Sequence, residues 1–202
     1  NAVGTSDTEI FLNLIDVYGL EFALSKCEGM FSFALWDDET RKLFLTIDNN
    51  GEKPLYYYKS NHKIIYASEL KAIKKFENIN LIIDHSALKN YFNYGFVPAP
   101  LTIYKDVYKL RPGQLVSFDL NFNFKELNYS NSKKNNQINE FKNDKNIINE
   151  LDTLLNEAVS KMSFSDAPIG SFLSGGTDSS IISAIFQSQK ESKIDTFSLN
   201  NE

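Results

Sequence analysis

The sequence predicts an α+β part over residues 1–127, a polar linker over 128–146, and the start of an α/β domain with a parallel sheet over 147–202. Three observations predict this order. Strand-like segments and hairpin turns follow one another from Met30 to Ala67. From Asn128 to Asn146 nearly every residue is Asn, Lys, Ser, Gln, Asp or Glu, too polar to bury. Beyond that stretch the pattern runs helix, apolar strand, glycine loop, helix, strand, which is how a parallel α/β domain opens.

Ser6-Asp7-Thr8-Glu9 has the S-x-x-E form of a capping box, in which the serine hydroxyl and the glutamate carboxylate satisfy free amides reciprocally. Ile10, Phe11, Leu14, Ile15 and Tyr18 follow at helical spacing, and Gly19 is a stop signal. Met30–Trp36 and Lys42–Ile47 read as strands joined across residues 37–41. Pro54–Lys59 and Lys63–Ala67 read as a second hairpin. Both faces of the first strand are mostly apolar, so a buried sheet is expected. Short helices are expected at Ser68–Phe76 and Asp84–Tyr94, the second capped by Asp84 and closed by Gly95. Gln114–Leu120 and Asn123–Tyr129 form a last hairpin. In the second part, Ile147, Leu151, Leu154, Leu155, Ala158 and Met162 mark an amphipathic helix. Pro168–Leu173 is a short strand, Ser179–Gln187 a helix and Thr196–Leu199 a second strand.

Composition narrows the function classes. With 42% hydrophobic residues in 202 the chain can build a core. Its net charge is −5, with no basic block, which argues against a phosphate-backbone partner. No apolar run approaches the roughly 18 residues of a membrane span. Residues 1–5 lack the basic and apolar stretches of a signal peptide, and the chain does not begin with methionine, so an internal fragment of a cytoplasmic protein is expected. The single cysteine, Cys27, excludes an intrachain disulfide and reads as a packed thiol. His62 and His85 fall at a turn and a first helical turn, with no spacing suited to zinc.

The chemistry concentrates at Ser174-Gly175-Gly176-Thr177-Asp178-Ser179-Ser180. A strand, a glycine loop and a helix start together make an anion site, because free amides and the helix dipole favour phosphate there. The glycines allow close backbone approach, and Ser174, Ser179 and Ser180 supply hydroxyl donors. Asp178 would be repelled by phosphate unless a cation intervenes, which points to Mg²⁺. The common ATPase loop is absent, since no lysine follows Gly176.

Asp166–Ser180 closely resembles the start of the synthetase domain in glutamine-hydrolysing (class B) asparagine synthetases. Five further segments resemble that family in its own order. Ser6-Asp7-Thr8-Glu9 is similar to S-D-x-E, and Glu28–Asp37 to its G-M-F-A-F-A-L-[YW]-D strand. Asp48–Tyr57 resembles D-R-F-G-E-K-P-L-Y-Y, Ala67–Ala72 resembles A-S-E-[LM]-K-A, and residues 94–100 with 110–113 resemble the close of the glutaminase domain.

The resemblance implies an N-terminal-nucleophile glutaminase, an αββα sandwich, followed by an adenylating pyrophosphate-loop domain. It implies ATP as substrate with Mg²⁺, and glutamine and aspartate as the other small-molecule partners. Neither nucleic acid nor membrane is expected, and a homodimer is compatible with it. Asp7 matches the aspartate that holds the glutamine α-amino group, and it also fits a first-turn acid favoured by the helix dipole, two roles that are compatible. Phe172 matches a position touching the adenine nucleotide, and Ser174, Gly175, Gly176, Asp178, Ser179 and Ser180 match the pyrophosphate loop. The family nucleophile, a cysteine at residue one, has no counterpart at Asn1.

Three departures stand out. Ile47-Asp48-Asn49-Asn50-Gly51 stands where the family reads R-D-R-F-G and so loses two arginines, Thr177 replaces an aliphatic residue, and the linker is rich in asparagine and lysine. The altered residues leave room for an acceptor other than aspartate, such as a sugar acid or a β-lactam precursor, or for a nucleotide-binding fragment without activity.

Overall fold

A computed structural model describes residue 4, residues 6–129 and residues 144–199. The chain divides into two compact units, Asn1–Lys133 and Lys134–Glu202.

In the first unit, α1 (Asp7–Tyr18) is followed at once by α2 (Leu20–Lys26), a helix that the sequence pattern does not reveal. Gly19 explains both: at φ 84° and ψ 159° it ends α1 and serves as the N-cap of α2. The capping box differs from expectation. Ser6 makes no side-chain cap bond, and the Glu9 carboxylate instead accepts from the amide of Gly4, at 3.0 and 3.1 Å.

Two antiparallel sheets follow. The first, in the order β1-β2-β6-β7, contains β1 (Ser32–Asp37), β2 (Lys42–Ile47), β6 (Gln114–Phe118) and β7 (Phe124–Asn128). The second, β4-β3-β5, contains β3 (Tyr56–Lys59), β4 (Ile64–Ala67) and β5 (Val107–Lys109). Period-two alternation splits the side chains of the first sheet. Leu45 and Ile47 of β2 join Val116 and Phe118 of β6 with Leu55 and Tyr57, filling the space between the sheets. Leu115 points the other way and packs with Leu24, Phe11 and Leu20 under α1 and α2. Helix α3 (Leu70–Lys74) packs on β3 and β4. The layering is helix, sheet, sheet, helix, the αββα arrangement that the family resemblance implies. The buried-sheet expectation holds for β2 and β6 only. β1 is an edge strand with most of its residues half-buried, and Trp36 is exposed.

α4 (His85–Tyr94) forms as its caps dictate. The Asp84 carboxylate accepts from the amides of Ser86 and Ala87, and Gly95 closes the helix in the left-handed region at φ 77°.

The second unit has α5 (Asp144–Met162), β8 (Gly170–Phe172), α6 (Thr177–Ser188) and β9 (Asp195–Phe197). β8 and β9 pair in parallel, Ser171 opposite Thr196. Of the expected linker, Asn128 ends β7 and residues 144–146 belong to α5, while 130–143 lie outside the described residues. No helix among the described residues is long and apolar enough to cross a membrane.

Candidate functional sites

The first unit presents a cleft of about 760 Å³ between α1 and β1. Asp7, the first residue of α1, lines it together with Thr8, Phe11, Phe31 and Lys53. Asp7 Oδ1 accepts from the Thr8 amide at 2.6 Å and from the Thr8 hydroxyl at 3.3 Å, so the carboxylate is oriented by its own helix start. Cys27 lines the same cleft, a placement no sequence signal announces, because α2 carries it there and α2 has no cap signal of its own. The Cys27 thiol is half-buried, and that burial pushes its pKa up, away from the thiolate form a nucleophile requires.

One wall of the cleft is fixed by Asp48, which is 1% exposed. Its Oδ1 accepts from the amides of Asn50 and Glu52, and its Oδ2 from the amide of Lys53, each at 3.0 Å. Its backbone carbonyl accepts from Gly51 and Gly113, and its amide donates to Phe31. Burial alone would raise the Asp48 pKa, but the converging backbone bonds from Glu52, Lys53 and Asn50 outweigh it and hold the carboxyl below its ordinary value. The Asp48–Lys53 segment is therefore a loop built around a buried carboxylate. Of the positions that depart from the family pattern, Ile47 is buried in the core, while Asn49 and Asn50 are exposed on the loop surface.

In the second unit the loop after β8 brings four of the serine and glycine positions together. Ser174 Oγ lies 3.0 Å from Ser179 Oγ, and the Ser174 amide donates to Ser179 Oγ at 3.2 Å. The hydroxyls of Ser179 and Ser180 donate to the Gly176 carbonyl at 3.1 and 2.8 Å. Gly175 sits at φ 84°, and Gly176 is the N-cap of α6. Gly176 has no side chain to cap with, so the first-turn amides of α6 are left to an external acceptor. Asp178 is an exposed acid in that turn. Phe172 is 83% exposed, its ring 6.4 Å from that of Phe197, and stands before the loop as an open apolar face. No group of three or more His, Cys, Asp or Glu among the described residues could hold a metal by itself.

Comparison with known proteins matches both units. A family model described as a glutamine amidotransferase domain covers residues 2–130, and one described as asparagine synthase covers residues 150–202. The chain belongs to the glutamine amidotransferase domain family, and it continues into a segment that the asparagine synthase model matches. It is 36% identical over 199 residues to asparagine synthetase [glutamine-hydrolyzing] 1 of Bacillus subtilis, covering 98% of this chain and 30% of the relative. It is 32% identical over 203 residues to asparagine synthetase [glutamine-hydrolyzing] 3 of the same organism, covering 98% and 32%. The chain spans about a third of the length of the curated relatives it matches. A solved glutamine phosphoribosylpyrophosphate amidotransferase from B. subtilis aligns with 92% of this chain and 37% of its own, at 19% identity and a TM-score of 0.42.

Proposed function

We propose that the chain is part of an ATP-dependent, glutamine-hydrolysing asparagine synthetase. The observation that carries the reading is the succession of a glutamine amidotransferase match and an asparagine synthase match along one chain. On this reading residues 1–127 are glutaminase, 128–146 a linker, and 147–202 the opening of the synthetase domain. The protein is cytoplasmic. A homodimer is compatible with this reading, and nucleic acid and membrane are not among the partners.

The chemistry follows from the residues. Asp7, at the mouth of the cleft, holds the α-ammonium of glutamine by a charge-assisted bond. Glutamine hydrolysis releases glutamate and ammonia. In the second unit the aspartate β-carboxylate attacks the α-phosphorus of ATP, giving β-aspartyl-adenylate and pyrophosphate. Ammonia then attacks the acyl carbon, and AMP leaves with the bonding electrons. The free amides of α6 and the hydroxyls of Ser174, Ser179 and Ser180 receive the departing pyrophosphate, with Gly175 and Gly176 letting the backbone close on it. Phe172 offers its exposed ring to the adenine nucleotide. A single exposed carboxylate beside a phosphate site suits Mg²⁺, which is commonly held by one or two carboxylates together with phosphate, so Asp178 would hold it. The ion would neutralise phosphate charge. An acceptor screen on the full-length parent tests the reading: aspartate alone among carboxylic acids should drive pyrophosphate release, and release driven only by another acid would overturn it.

A further inference from the structure

We infer that Ser171 and Ser183 form a latch that positions the nucleotide loop. The inference rests on the pyrophosphate reading of that loop and adds two residues to it.

Ser171 is the middle residue of β8, and Ser183 lies in the second turn of α6. Their hydroxyl oxygens are 2.9 Å apart, and Ser183 is 8% exposed. Ser179 and Ser183 are four residues apart on one helix, so they share a face. That face carries two hydroxyl pairs toward the β8 side: Ser174–Ser179 at the exposed mouth and Ser171–Ser183 beneath it.

The two pairs respond differently to a phosphate ligand. An ionised phosphate has only acceptors, so a hydroxyl binding it must donate its one proton to it. If both Ser174 and Ser179 donate to phosphate, neither has a proton left for the other, and the outer pair keeps only the bond from the Ser174 amide to Ser179 Oγ. The inner pair lies below the ligand, with Ser183 buried and Ser171 half-buried, and keeps its bond. It then ties β8 to α6 at the moment the outer tie is weakened, and holds the span that residues 173–176 must bridge. Loss of the inner bond leaves the loop ends free to drift, which weakens nucleotide binding without touching it. Ser171 and Ser183 are therefore positioning residues.

The test uses the full-length parent and ATP–pyrophosphate exchange in the presence of aspartate. Ser171→Ala and Ser183→Ala should each raise the KM for ATP about fivefold, as expected for one net hydrogen bond. The KM for aspartate and the rate of glutamine hydrolysis should be unchanged. The double variant should be no worse than either single one, because both remove the same bond. Ser171→Thr, which keeps the hydroxyl in a strand position, should restore the KM for ATP. An unchanged KM for ATP in both alanine variants, or additive effects in the double one, overturns the latch while leaving the loop reading intact. Should Ser183→Ala fail to fold, the half-buried Ser171→Ala and its threonine rescue decide the question. Absence of exchange in the wild-type parent overturns the loop reading, and the latch with it.

Discussion

Replacing Asp48 should cost the first unit more stability than a change at almost any other polar residue. The side chain is 1% exposed and accepts three backbone amides at 3.0 Å. A bond to a charged acceptor contributes roughly 1.5–3 kcal/mol net. The donors Asn50, Glu52 and Lys53 lie on a surface loop, so water can take over part of what is lost. Asp48→Ala should therefore cost about 3 kcal/mol rather than the sum of three bonds. Asp48→Asn keeps one acceptor oxygen and should cost about 2 kcal/mol, by the same scale. For a unit of this size the alanine variant should melt about 10 °C lower, taking roughly 3–4 °C per kcal/mol. The assay is urea denaturation of the chain followed by circular dichroism, repeated across pH. The sign is fixed by the direction of the shift. A carboxyl whose folded pKa is lowered stabilises the fold above its unfolded pKa, about 3.9, and that stability is lost as pH falls through the folded value. The gap between wild type and Asp48→Asn should be full at pH 7 and narrow below pH of about 4, by the same linkage. A loss under about 1 kcal/mol for Asp48→Ala, or a gap indifferent to pH, would refute the view of Asp48 as the organiser of the loop.

Two further substitutions probe other links. Tyr129, whose hydroxyl donates to the Ile47 carbonyl at 2.6 Å in the core, should lose about 1–2 kcal/mol on Tyr129→Phe, read from the urea midpoint, because a buried carbonyl is left unpaired. Its phenol, pushed up to about 12 mainly by burial, should also stay silent in a spectrophotometric titration to pH 11. Gly175→Ala meets no atom within 4 Å, so its effect is backbone strain alone at φ 84°, about 1–2 kcal/mol; ATP affinity measured by calorimetry on the parent should fall roughly 5- to 30-fold.

Local signals carried much of this fold in the sequence. Asp84 and Gly95 bracket α4 because a cap and a left-handed stop are decided within a few residues. The strand–loop–helix order around Gly175 was legible for the same reason. Non-local pairing was not. The contact of β2 with β6 joins Thr46 to Leu115, and no local pattern encodes that register. It also decides that β1 is an edge rather than a buried strand, a fact the apolar residues of Phe31–Trp36 conceal. β5 is three residues long, below the length at which alternation can be recognised. α2 escaped because its N-cap is Gly19, a residue that also reads as the end of α1. At the candidate sites, motif matching singled out Asp7 and the Ser174–Ser180 loop. The Asp48 knot, the position of Cys27 in the cleft and the Ser171–Ser183 pair depend on tertiary placement, and became visible only with the structure.

The most direct measurement follows the amide nitrogen. The full-length parent is given glutamine labelled with ¹⁵N at the amide, unlabelled aspartate and Mg-ATP, and the products are analysed by mass spectrometry. The proposed function predicts ¹⁵N-labelled asparagine, with AMP and pyrophosphate formed in equal amount. Labelled ammonia with no asparagine, or ATP consumed without transfer of the label to aspartate, would contradict it.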